Sequence, residues 1–468
     1  MEPVGRAPGL IMVQVAYDHV VEVVSRTRLK DLPGDVRKAV DTAMLDTLGV
    51  NLAGTIEPAA RIIADYGRRM AAPSGAGVFC AGYRSGAELA ALVNGTALHA
   101  LDFDDTGAYS QGHPSATIFP AVLALAEERG SSMEDVASAY VVGVEVLSRF
   151  ARSMPMMHMK GWHPTAVLGT IASAAACSNL LGLDPLAVRN AIAIAATQAG
   201  GLVRSFGSMA KPLHVGQAAS LGVRAACLAE AGFTGCADII FGEHGFLRNF
   251  HGDVDERARV QFASAGAPWA IIEPGVNIKR YPCCSLTHRA IDALLDIVME
   301  RAIAPEMMAR IDCRVPPRAI KVLSYTRPVS GLQAKFSMQF VLACALINRH
   351  LAPAHFEDQL VNSTHIGQVM ERIDVRVHED WKDGDDARPD VVVIHMKDGT
   401  FFRKEVAVPK GNASRPLAHE DLVLKFKSCA EPVIGTSGVS ACLNWFDRPF
   451  EQRLIKELID IVTPIHHH

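Results

Sequence analysis

The feature that most constrains this chain is a crowding of small residues on helical repeats. Ala87, Ala90, Ala91, Leu92 and Ala97 fall on one such pattern, and Ala166, Gly169, Ala172, Ala174, Ala175 and Ala176 on another. Small side chains at helical spacing let neighbouring axes approach closely, so these segments belong inside a packed helical assembly. Further helices are legible around them. Val36, Val40, Ala43, Met44, Thr47 and Leu48 recur at three and four over residues 35–54, with Gly54 as the stop. Ser131 followed by Glu134 reads as a capping box ahead of Val136, Ala139, Val142, Val146 and Leu147. Asp184-Pro185 opens a helix over 186–197, and Gly182 suits the end of the one before it.

Past about Asn277 the texture changes. Ile311, Cys313 and Val315 alternate with polar residues, as do Ile373, Val375 and Val377; residues 391–396 and 401–406 flank Asp398-Gly399 as a hairpin. Gln333 to Asn348 is helical in its middle, so helices are expected over one face of a small antiparallel sheet. After the turn-rich Pro409-Lys410-Gly411-Asn412, residues 420–427 and 451–461 return to helical spacing. The expected fold is mainly α: a large all-helical domain formed by both chain ends, 1–276 with 411–468, and a smaller α+β domain, 277–410, inserted between them.

Composition excludes several functions. A formal net charge of -4 over 468 residues, with both signs intermixed, argues against a nucleic-acid face or a polybasic membrane anchor. The apolar run from Gly9 to Val13 lacks the flanks of a signal peptide, and no stretch is long and apolar enough to cross a bilayer, so the expected location is the cytoplasm. Ten scattered cysteines form no C-x-x-C pair and no zinc-ligand spacing, which fits a reduced compartment and no metal. His466, His467 and His468 read as the remnant of an expression tag and stand outside any metal argument. Dinucleotide, P-loop, zinc-hydrolase and esterase signatures are all missing.

What remains is acid–base chemistry. The run His99-Ala100-Leu101-Asp102-Phe103-Asp104-Asp105-Thr106 ends the first small-residue helix, and Gly112-His113-Pro114-Ser115 opens the next apolar one. Gly161-Trp162-His163-Pro164-Thr165, Lys211-Pro212-Leu213-His214, Lys279-Arg280-Tyr281-Pro282-Cys283-Cys284 with His288, and Tyr325 after a strand add cations, imidazoles, thiols and a phenol. Breaking a C–H or C–C bond beside a carboxylate builds negative charge, which needs aimed cationic donors and a base of tuned pKa. Asp102, His113, His163, Lys211, Lys279 and Tyr325 are the right kinds of group for dehydration, decarboxylation or epimerisation.

Those five ordered motifs together resemble the MmgE/PrpD family, over nearly the whole chain. The resemblance implies a helical domain with an inserted α+β lid, a homodimer, and a cofactor-free cleft that takes a small polycarboxylate. It assigns site roles to Asp102, Thr106, His113, His163, Lys211, Lys279 and Tyr325. The leading expectation is a hydro-lyase of the 2-methylcitrate dehydratase kind, with Lys211, Lys279 and Arg280 holding carboxylates, Thr106, His214 and His288 at the substrate, His163 or Asp102 moving the carbon-bound proton, and His113 or Tyr325 assisting the leaving group. The Asp102–His113 loop is one residue longer than in the family's decarboxylase branch, and Cys284 stands where that branch carries a histidine. Both features are similar to the epimerase branch, in which a thiolate beside cations would serve as a carbon base.

Overall fold

The computed structural model describes residues 8–107, 112–252, 256–382 and 388–463, and is mainly helical. Residues 466–468, read above as a tag remnant, lie outside the described residues. The small-residue helices Ala87–Ala100 and Pro164–Leu180 both pack closely against a third, Ala210–Glu230, as their composition requires. At one crossing a side chain on Gly95 would stand 2.9 Å from the Gly216 Cα, and one on Gly216 would collide with the Leu92 carbonyl. Only glycine permits that approach of two backbones.

Local signals are mostly where the sequence puts them. Asp184 caps Pro185–Ala196 by accepting from the Leu186 and Ala187 amides at 2.9 Å, and Gly182 takes φ +65 after Pro164–Leu180. The capping box is shifted by one residue, to Ser132 and Asp135 at the start of Met133–Ser153. Ser131 cannot serve, because its amide donates to the Ala126 carbonyl and closes the preceding helix behind Gly130 at φ +67. Towards the C-terminus, the helix expected over 451–461 is a single turn at Phe450–Gln452 followed by Ile455–Val462.

Buried apolar side chains form two large clusters. One draws on residues 13–278 and 422–462; the other on residues 281–406 together with Phe206. The second surrounds a four-stranded sheet in which Met308–Val315 lies between Ile373–Val377 and Asp390–Met396, with Phe401–Val406 at the far edge. The expected antiparallel sheet is in fact mixed: Met308–Val315 and Ile373–Val377 run parallel, because the chain between them crosses back through the Met338–Asn348 and Thr364–Met370 helices. The hairpin at Gly399, φ +90, is as read.

The part expected to be all-helical also carries strand. Ala76–Val78 pairs with Tyr83–Ser85, and Thr106–Gly107 pairs with Val276–Asn277. That second ladder ties the acidic loop after Ala100 to the point where the chain texture changes. Among the described residues, no helix is long and apolar enough to cross a membrane.

Candidate active site

Four helix ends meet at the acidic loop. Ala87–Ala100 ends there, while Pro114–Arg129, Pro164–Leu180 and Ala210–Glu230 begin there with His113, His163 and Lys211 at or beside their first residues. Both histidines precede a proline, which disfavours helical geometry in the residue before it; His113 sits at φ −110, ψ 93 and His163 at φ −87, ψ 98. Their rings therefore project off the helix axes. The carbonyl end of Ala87–Ala100 is a partial negative charge that draws cations. Three lysines answer it. Lys335 Nζ donates to the Leu101 carbonyl at 2.8 Å, and Lys279 Nζ donates to the Asp102 carbonyl at 2.7 Å. Lys211 Nζ reaches the last turn through His99.

Asp102 is the hub. It follows the helix at φ +51, the left-handed position usually left to glycine, which turns the backbone and buries its side chain. Its Oδ1 accepts from Lys211 Nζ at 3.0 Å and from Lys279 Nζ at 2.9 Å. Burial would raise this carboxyl, but the two ammoniums outweigh it and hold it well below the usual range. Burial likewise opposes charge on Lys279, and Asp102 with Asp104 overcomes it, so the ammonium is held more firmly than in water.

Asp104, also fully buried, sits between two imidazoles: Oδ2 is 2.8 Å from His99 Nδ1 and 2.9 Å from His113 Nδ1. Lys211 donates to His99 Nε2 at 2.7 Å, so the His99 proton is on Nδ1, facing Asp104. Burial, chiefly, drops the His99 pKa to about 4, and the ring is neutral. His113 and His163 are lowered for the same first reason, with Lys211 and His99 adding to the effect at His163. Phe206 and Phe336 wall the Lys211 ammonium at 5.3 Å.

Beneath the loop, Lys425 pairs with buried Asp46 at 2.7 Å and donates to the Phe103 carbonyl at 3.0 Å. Asp105 faces the other way, accepting from the Ser115 amide at 3.1 Å and from its hydroxyl, which also meets Tyr140. With no cation beside it, burial raises Asp105 to about 8. These inner groups fix the loop from below.

Asp102, His113, His163, Lys211 and Lys279 thus come together, with His214 at the edge, its Nδ1 3.4 Å from His163 Nδ1. Other expected residues do not join by direct contact. Arg280 leaves its neighbour Lys279 in another direction: its guanidinium lies 3.6 Å from Asp292 and over the Tyr281 ring, so the expected carboxylate clamp is a partner of the Tyr281–Asp292 pair instead. Tyr325 gives its hydroxyl to the Phe206 carbonyl at 2.8 Å, one layer behind His163. His288 is buried against Tyr281 and the Cys283 carbonyl, and burial lowers it to about 3. Thr106 Oγ1 accepts from Asn277 Nδ2 at 3.3 Å, joining the two parts of the chain.

At Cys284 the surroundings work against the thiolate that the epimerase resemblance implies. Burial, reinforced by Asp102, raises the thiol, and Lys279 does not reverse it. His99 and Asp104, quoted in the acidic run but given no role there, hold Lys211 and His113; Lys335, which no motif pointed to, also donates to the Pro282 carbonyl at 3.4 Å. A lysine inside the apolar run 333–348 was the available signal for the last.

His99, Asp102, Asp104 and His113 offer ligand atoms within 4.8 Å of one another, a donor set of the kind that holds a dication. Two ammoniums already occupy Asp102 Oδ1, and both His99 nitrogens are engaged, so these residues fit an ion-pair network better than a metal shell.

A buried nest of paired lysines and carboxylates, ringed by histidines at helix ends, has the groups to hold an anion and to move a proton. In comparison with known families, the MmgE/PrpD N-terminal domain matches residues 18–258 and the MmgE/PrpD C-terminal domain residues 281–442. The chain belongs to the MmgE/PrpD family. It is similar to the cis-aconitate decarboxylase of Homo sapiens, 30% identical over 86% of this chain and 85% of that protein, and to that of Mus musculus, 28% identical over 93% and 90%. The cis-aconitate decarboxylase of Aspergillus terreus is 26% identical over 87% of this chain and 88% of its own length.

Proposed function

We propose that this protein is a lyase acting on a small tricarboxylate, with decarboxylation of cis-aconitate its reaction. The leading expectation of a 2-methylcitrate hydro-lyase gives way because the relatives above are decarboxylases. The observation that carries the proposal is the Lys211–Asp102–Lys279 unit, two buried ammoniums on one carboxylate oxygen. Such a unit offers preorganised positive charge to an anion at no cost of reorientation during the reaction. Substrate carboxylates would share the two ammoniums with Asp102. When the C–CO2 bond breaks, its electron pair stays on the carbon framework, conjugated with a neighbouring carboxylate facing Lys211 and Lys279. A proton then moves to carbon from the imidazole set, a role proposed for His163. Segment 277–410, which supplies Lys279 and Lys335, is proposed as a lid over this site.

The test is direct. EDTA-treated protein is given cis-aconitate, and release of carbon dioxide is followed together with loss of enoate absorbance; 2-methylcitrate and citrate are run in parallel. Carbon dioxide release from cis-aconitate is expected. Turnover of 2-methylcitrate alone, or of none of the three, would overturn the proposal.

A further inference from the structure

Decarboxylation of a tricarboxylate trianion consumes one proton per turnover: trianion plus H+ yields a dianion and carbon dioxide. That proton must come from water, yet His163 is buried, and burial together with Lys211, His99, His158 and His214 holds its pKa well below the ordinary value. A neutral, sealed imidazole stores no proton between turnovers. It has to be supplied.

One contact leads outward. His163 Nδ1 lies 3.4 Å from Nδ1 of His214, which is half-buried and keeps contact with solvent. The two rings meet over Gly201. That residue holds φ +132 and accepts the His163 amide at 2.9 Å, and a side chain there would stand 3.3 Å from His214 Nδ1 and 3.4 Å from His163 Cβ. A Cβ there would also stand 3.0 Å from the Ala166 Cβ, so a side chain at this position would crowd both histidines. Two further imidazoles near His163 keep solvent contact: His113 is committed inward, Nδ1 to Asp104 at 2.9 Å and Nε2 towards Asp102 at 3.8 Å, and His158 packs edge-on against Phe206, which lies between it and His163.

We propose that His214 is the outer half of a two-histidine proton conduit, taking protons from solvent and handing them to His163, rather than a contact to substrate. In each cycle a proton on His214 Nδ1 passes to His163 Nδ1, His163 gives its Nε2 proton to the carbon left by carbon dioxide, and the ring returns to the Nε2–H tautomer before the next transfer. His214 is then reprotonated by water or buffer. The catalytic part rests on the decarboxylase reading above; the conduit itself rests on the geometry.

His214→Ala and His214→Gln are compared with wild type in dilute, non-nucleophilic buffer, with and without added imidazole. We expect kcat for cis-aconitate to fall roughly tenfold or more, within the range general acid–base groups contribute, with KM little changed and imidazole restoring the rate. In parallel, NMR of 15N-histidine-labelled protein reads exchange of the His163 ring proton with water, which needs no substrate and should slow in both variants. An unchanged kcat in dilute buffer overturns the conduit, as does a raised KM that imidazole does not correct. Should wild type fail on every tricarboxylate, the decarboxylase reading falls alone and the exchange rates decide: equal exchange in wild type and variants overturns the conduit.

Discussion

Lys335 gives the sharpest energetic test of this site. Its ammonium is buried, and its hydrogen bonds go to carbonyls, Leu101 at 2.8 Å and Pro282 at 3.4 Å, rather than to a carboxylate. Burial, the largest influence, lowers its pKa from 10.5 to about 8. Below pH 8 the lysine is protonated in both folded and unfolded chains, and the folded state bears the whole cost of the buried charge. Between about 8 and 10.5 the folded protein has released a proton that the unfolded chain still holds, so stability rises with pH across that window. At about 1.4 kcal/mol per tenfold, the total is about 3 kcal/mol. Lys335→Met has nothing to titrate there. The difference in unfolding free energy, wild type minus variant, should therefore climb by about 3 kcal/mol from neutral pH to about 10.5. Urea denaturation of both proteins across that range, at constant ionic strength, measures it. Near neutrality the charge cost and the two charged-donor hydrogen bonds, about 1.5–3 kcal/mol each, are of similar size, and the variant should be about as stable as wild type or somewhat less so. A difference that stays flat with pH would refute the account of Lys335 as a strained, buried cation.

Three other outcomes are expected. Asp102→Asn should cost about 3–5 kcal/mol at pH 7, since it strands two buried ammoniums; because the folded carboxyl is depressed, the gap to wild type is complete above the unfolded-state value and narrows as pH falls towards the folded one, which acid-range denaturation checks. Cys284→Ser should retain activity within about tenfold, and in the wild type Cys284 should resist iodoacetamide at mildly alkaline pH while the exposed Cys236 reacts, as peptide mapping would show; removing a true carbon base would cost about 10²–10⁴ in rate. Binding of citrate or cis-aconitate at neutral pH should take up protons, because added carboxylates raise the depressed His113 and His163; calorimetry in buffers of different ionisation enthalpy would show it, and buffer-independent heats would contradict it.

Much of this architecture is legible in the residues because local chemistry dictates it. Ala- and Gly-rich repeats demand close helix crossings, and Gly95 against Gly216 is such a crossing. Asp184-Pro185 caps a helix wherever it is placed, and Asp398-Gly399 turns a hairpin. Non-local choices are not written locally. Ser131 and Ser132 are indistinguishable as caps until one knows which amide the previous helix has used. Strand direction in the Met308–Val315 and Ile373–Val377 pair depends on the route of the intervening helices. Arg280 and Lys279 are adjacent cations with the same sequence credentials, yet one meets Asp102 and the other Asp292. Cys284 shows the same limit in energetic form: proximity of a lysine suggests a lowered thiol, and only the degree of burial reverses the sign.

The candidate site is readable for a further reason, which lies in backbone geometry. His113 and His163 each stand before a proline at a helix start, and Lys211 stands before Pro212 in a first turn. Proline at these positions needs no amide partner and holds the preceding histidines extended, so each titratable side chain points off the end of its helix. Helix N-termini favour anions, and the one C-terminus present, that of Ala87–Ala100, favours cations. Bringing three of the first around one of the second makes a place where lysines are stable in the empty protein, held by carbonyls and by Asp102, and where carboxylates are stable once bound. On the proposed function, Asp102 stands in for substrate: it would occupy the ammoniums until a better anion arrives, which would account for a carboxylate buried at the hub of a site proposed to take carboxylates.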